Sequence, residues 1–151
     1  MIGLKVLHSN FKLLEYIKSP VSRAGTNSFF LGIIMGLDQY VMAGKPGEEP
    51  QEIIYWRKHN AMHNWFTKKA IELKIVKHPS EFNCVKLFIT QEMLNELKED
   101  IKNKKLEPVD GFFFGSTDYD PAEEMEADLE DISKIQSKLD SNYEVFYDSW
   151  W

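Results

Sequence analysis

The segment DPAEEMEADLEDISKIQSKL, residues 120–139, constrains the fold more than any other part of the chain. Asp120 stands where a helix cap is needed, Pro121 fits the first helical position, and Glu123 follows three residues after the cap, the acidic form of a capping box. Behind this start, Met125, Leu129, Ile132, Ile135 and Leu139 recur at helical spacing, so one face of a helix about 30 Å long must be buried against something else. The acids between them point outward, the solvated side of an amphipathic helix.

The rest of the chain can supply the partner surface. With 151 residues the protein reads as a single compact domain, residues 1–151, and 43% hydrophobic residues exclude a disordered chain. The single cysteine, Cys84, excludes an internal disulfide and any thiolate-based zinc site, as expected of a reducing cytosol. Its place in an apolar segment favours packing over nucleophilic chemistry. Residues 1–7 carry no secretory pattern, and the apolar run FFLGIIMGL, residues 29–37, is about half the length a membrane span needs. A soluble cytoplasmic protein without membrane contact is expected.

Charge is unevenly placed. Residues 1–80 hold 11 Lys/Arg against 6 Asp/Glu, and residues 81–151 hold 7 against 18, for a net charge of −6. Broad nucleic-acid binding is therefore not expected of this acidic protein. The stretch from Asp118 to Asp131, with eight acids and no base, also suits a face that meets a basic partner or imitates nucleic acid.

Periodicity predicts a strand over residues 3–9, a short helix over 10–18 capped by Asn10, and a loop over 19–28. A buried helix is expected over 29–44, a loop over 44–50, and a second helix from Gln51 to about Leu73. Cys84–Thr90 reads as a buried strand and Thr90 as the cap of a helix with Met93, Leu94, Leu97 and Ile101 inward. Gly111–Thr117 reads as an apolar strand, and residues 143–151 alternate as a closing strand. The fold class is α+β, helices dominant, with a small sheet of about four short strands.

Two segments hold the chemistry-bearing residues. On a single helix, YWRKHNAMHNWF (residues 55–66) puts Tyr55, Met62, Phe66 and Leu73 on one core stripe. Trp56, Asn60, His63 and Thr67 fall on the adjacent sector, with Arg57 beyond them. His59 and His63 have the i, i+4 spacing of two metal ligands, but the metalloprotease motif needs a glutamate where Asn60 stands, so no metal or other cofactor is expected. Because an unperturbed imidazole titrates near neutrality, His63 is the candidate catalytic acid or base, although helical histidines more often serve packing. In GFFFGSTDYD, residues 111–120, the hydroxyls of Ser116 and Thr117, then Tyr119, precede a helix N-terminus and can face an anion; terminating a strand is their plainer use.

These two segments resemble a small family of uncharacterised tailed-bacteriophage proteins that share an Arg-Lys-x-Asn-x-[Ile/Met]-His-x-Trp-Phe motif and a later Gly-Phe-Phe-Phe-Gly-Ser-Thr-x-Tyr-Asp motif. Arg57, Lys58, Asn60, Met62, His63, Trp65 and Phe66 fit the first, and residues 111–120 the second; Asn83–Cys84 is similar to the family's Asp/Asn-Cys before a strand. The resemblance implies a phage origin and action in the cytoplasm of an infected bacterium, and it supplies no mechanism.

The expected function is accordingly that of a phage accessory protein, of host-takeover or anti-defence type. It would bind a host protein or small anionic ligand through Arg57, Asn60, His63, Ser116, Thr117 and Tyr119. Two alternatives stand beside it: a small enzyme of nucleotide or phosphoester metabolism using His63, and an acidic inhibitor acting through residues 118–131. A homo-oligomer is compatible with the aromatic SWW end, which suits either a core or a subunit interface.

Overall fold

The structure, a computed structural model, describes residues 36–112 and 114–151. The strand and helix expected over residues 3–18, the loop after them and the start of the helix expected over 29–44 lie outside the described residues. Within them the chain runs β1 (Asp38–Gly44), β2 (Gln51–Arg57), α1 (Asn60–Glu72), a 3₁₀ turn (Pro79–Glu81), β3 (Leu87–Phe88), α2 (Gln91–Lys102), α3 (Pro121–Asp140) and β4 (Glu144–Trp150). The four strands form one antiparallel sheet in the order β2-β1-β4-β3. The architecture is α+β, as the sequence implies.

β1 replaces the helix expected at its position. Gln39, Val41 and Ala43 turn to the buried face and Tyr40 and Met42 to the other, the period of a strand. Because β1 lies between β2 and β4, all its residues are at least half-buried, and a largely apolar run of this kind does not distinguish strand from helix by periodicity. A hairpin turn with Gly47 at φ 87° leads into β2. Val41 pairs with Ile54 and Met42 with Glu52, so Ile53 is an extra residue, a bulge that twists the edge strand.

The helix expected from Gln51 to Leu73 is two elements. Residues 51–57 are strand, and Lys58, in the left-handed region at φ 56°, turns the chain while donating its N–H to the Leu37 carbonyl at 2.8 Å. Angles measured on one continuous helix therefore have no meaning across residue 58. Tyr55 and Leu73 leave the core, 47% and 52% exposed, whereas Met62 and Phe66 are buried as the stripe predicts.

Two further strands shrink. Of Cys84–Thr90 only Leu87 and Phe88 pair with β4, because Cys84 itself takes a positive φ of 57°. Gly111–Gly115 is a closed turn: Gly111 and Gly115 exchange both backbone hydrogen bonds, at 3.1 and 2.7 Å, and Gly115 has φ 70°. The turn sends Phe114 inward and leaves Phe112 86% exposed. α2 and α3 start at the caps the sequence predicts. Thr90 accepts from the Met93 N–H and Asp120 from the Ala122 N–H, while Met93, Leu94, Leu97, Ile101, Ile132 and Ile135 are buried.

The core lies where helix faces meet the inward side of the sheet. Phe66 stacks on Tyr147 of β4 with centroids 4.2 Å apart, and Phe82 stacks on the same ring at 5.7 Å. Each such side chain contributes about 1.5–3 kcal/mol by leaving water. The turn at Gly111 is tied to this packing, since a Cβ there would be driven into the Phe114 ring. Gly111→Ala is expected to lower unfolding stability by about 1–3 kcal/mol in urea titrations. Gly47→Ala, with open space around it, should lose only about 1 kcal/mol from its strained backbone.

Candidate functional site

The joint between β2 and α1 is built from a side-chain amide. With its oxygen turned toward a donor and its nitrogen toward acceptors, Gln39 accepts from the His59 N–H at 2.9 Å and donates to the His59 carbonyl at 3.2 Å and the Tyr147 hydroxyl at 3.1 Å. The Tyr147 O–H then donates to His63 Nδ1 at 2.8 Å. That bond leaves the His63 proton on Nε2, 3.4 Å from the Thr67 hydroxyl, whose own O–H donates to the His63 carbonyl at 2.7 Å. The His63 ring is 3% exposed, among Phe82, Phe114, Tyr147 and Trp151. Burial lowers its pKa to about 4 and drives that of Tyr147 well up, so both groups are neutral at pH 7.

His59 holds the joint from its other side. Its Nδ1 accepts from the Met62 N–H at 3.2 Å, which makes it the cap of α1 and puts its proton on Nε2, 2.8 Å from Asp128 Oδ1. Asp128 is 2% exposed, and its second oxygen accepts from the Tyr119 O–H at 2.8 Å. Burial first, and then the bond to Asp128, raise the Tyr119 pKa, so the phenol stays a donor. One step outward, Trp56 Nε1 donates to Asp131 Oδ2 at 2.7 Å. Two of the eight acids between Asp118 and Asp131 are thus internal fastenings of α3.

Asn60 ties α1 to the glycine turn, its Nδ2 donating to the carbonyls of Val109 and Gly115, both at 3.0 Å. Its Oδ1 is buried with no partner, and the same holds for Thr117 Oγ1, two residues beyond Gly115.

Above these fastenings lies an open cleft of about 280 Å³. One wall is Tyr55, Trp56, Arg57, Lys58 and His59; the other is Thr117, Asp118, Tyr119 and Glu124. Arg57 Nη1 donates to Asp38 Oδ1 at 2.9 Å, an oxygen that also accepts from the Tyr55 hydroxyl at 2.6 Å. The guanidinium has further N–H donors, and the side chain is 48% exposed. A larger groove of about 330 Å³ between α2 and α3 is lined by residues such as Lys98, Gln136 and Asp140, but the hydroxyls of Ser133 and Ser141 there are committed to helix carbonyls.

The structure therefore brings Arg57, Thr117 and Tyr119 to one cleft. Asn60 and His63 are buried and do not line it, and Ser116 is exposed outside it. Among the described residues no group of three His, Cys, Asp or Glu side chains is placed to hold a metal ion, and no helix is long and apolar enough to cross a membrane. Sequence reasoning missed Gln39, Lys58, His59 and Asp128. His59 was legible as a polar residue just before an apolar helical run, where a cap belongs. Gln39 and Asp128 carry no local signal, because their partners are 20 and 69 residues away.

The depressed His63 pKa has a consequence with a definite sign. Below about pH 6.5 the unfolded chain binds a proton at this imidazole and the folded chain does not until about pH 4, so stability falls as pH drops through that window, by about 3 kcal/mol in all. An NMR titration should show the His63 ring neutral down to about pH 5; titration near 6.5 would contradict the buried network. No protein-family model, curated protein or solved structure matches the chain.

Proposed function

We propose that the protein is a binding protein and not a catalyst, and that it captures a small anionic ligand in the cleft between the β2–α1 joint and the turn before α3. The observation that carries this reading is the convergence of Arg57 and Lys58 on one cleft with Thr117 and Tyr119. Tyr55 and Tyr119 add aromatic wall, so the cleft combines a few polar groups with apolar surface, as small-molecule sites do. His63, enclosed and outside the cleft, offers no support for the enzyme alternative. In the phage setting implied by the two motifs, the protein would act in the host cytoplasm as an accessory factor of host-takeover or anti-defence type.

A second reading, docking of a basic host protein, draws on the outward acids Glu123, Glu124, Glu126 and Glu130 of α3. Asp128 and Asp131 contribute nothing to such a face, because they are spent on His59, Tyr119 and Trp56.

Titration with inorganic phosphate followed by amide chemical shifts tests the first reading. Shifts should concentrate at residues 57–59 and 117–119. Arg57→Ala should weaken binding by about 10- to 100-fold, the equivalent of one charge-assisted hydrogen bond. Shifts scattered over the surface, or an unaffected Arg57→Ala variant, would refute it.

A further inference from the structure

We infer that the ligand of this cleft is a short zwitterion, carrying an ammonium group as well as its anionic group. This rests on the reading of the cleft as a small-anion site and narrows the chemistry of its occupant. The two walls have opposite sign: Arg57 and Lys58 stand on the β2–α1 side, Asp118 and Glu124 on the side of the turn and the first turn of α3. Opposite charges this close ordinarily close on one another, yet among the described residues none of Lys58, Asp118 and Glu124 forms an ion pair, and the pairing of Arg57 is with Asp38, a residue that does not line the cleft. Four charges lining one small cleft without a bond across it leave a positive and a negative pole for a ligand to bridge.

A bare anion satisfies one pole and is repelled by the other. Phosphate drawn to Arg57 and Lys58 also meets the carboxylates of Asp118 and Glu124, a like-charge opposition that takes back part of the attraction. A ligand with an ammonium group at its far end converts that opposition into a second attraction. An ammonium group, with three N–H donors and no acceptor, suits the carboxylates of Asp118 and Glu124, which can only accept. The volume, about 280 Å³, sets the scale: it lies below the usual range for drug-sized ligands, so the anion and the ammonium must be joined by a short linker.

The test compares two phosphate monoesters of similar size, O-phosphoethanolamine and ethyl phosphate, by calorimetric titration of the full chain. Phosphoethanolamine is expected to bind at least about tenfold more tightly, and the double variant Asp118→Asn, Glu124→Gln should abolish the difference while leaving ethyl phosphate binding equal or stronger. Both substituted residues are exposed, so the variant should fold as the parent does. Equal affinity for the two esters, or a preference that survives in the double variant, would overturn the inference and leave the anion site standing. Failure of both esters to bind would overturn the anion site as well.

Discussion

The pairing of the Gln39 amide with both backbone groups of His59 is the interaction on which the rest of the structure depends. A side-chain amide has the donor and acceptor of a peptide, so Gln39 extends sheet-like bonding from β1 to a residue that lies beyond the end of β2. That bond fixes where α1 begins. It also hands a hydrogen bond to Tyr147, on which Phe66 and Phe82 stack, and through Tyr147 it sets the tautomer of His63. On the far side of the same residue, the His59 ring holds Asp128 and hence α3. The cleft is bounded by these two held segments, so its geometry follows from the joint.

The same device occurs a second time. Asn83 donates to the Trp151 carbonyl at 2.9 Å and accepts from the Trp151 N–H at 3.1 Å, while the Cys84 N–H donates to the Ser149 carbonyl at 2.8 Å. β4 is thereby continued past Trp150 by an irregular segment that carries no ladder of its own. The Trp151 ring is set against His63 and Phe114, which helps keep the imidazole dry. Two amides doing the work of missing strand residues explain how a sheet with one two-residue edge strand supports a core of this size.

How much of this could be read from the sequence depended on how local the cause was. The start of α3 and the centre of its stripe, Ile132 and Ile135, were legible because the cap, the proline and the periodicity are neighbours in the chain, whereas the burial of Asp128 among the supposedly outward acids was not. Thr90 and the inward residues of α2 were legible for the same reason. β1 was not, since an apolar run between two other strands looks like a buried helix until its partners are known. The break at Lys58 was invisible because nothing in the residue type demands a positive φ; the demand comes from Leu37 and Gln39, which hold the flanking backbone. The polar residues of 55–66 were rightly singled out as needing partners, and most of those partners proved to be the fold itself. His63 has Tyr147 and Thr67, Asn60 has Val109 and Gly115, and Trp56 has Asp131. What lines the cleft from this stretch is the remainder: Arg57 in part and Lys58.

The central claim, that one buried amide organises the β2–α1 joint, is tested most directly by urea unfolding of Gln39→Leu. Leucine is of comparable bulk but apolar, so it leaves the His59 N–H and carbonyl without their partner and takes a donor from the Tyr147 hydroxyl. At about 1–3 kcal/mol for each buried group left unpaired, the variant should lose roughly 3 kcal/mol or more. A variant within about 0.5 kcal/mol of the parent, the scatter of ordinary surface substitutions, would contradict the account.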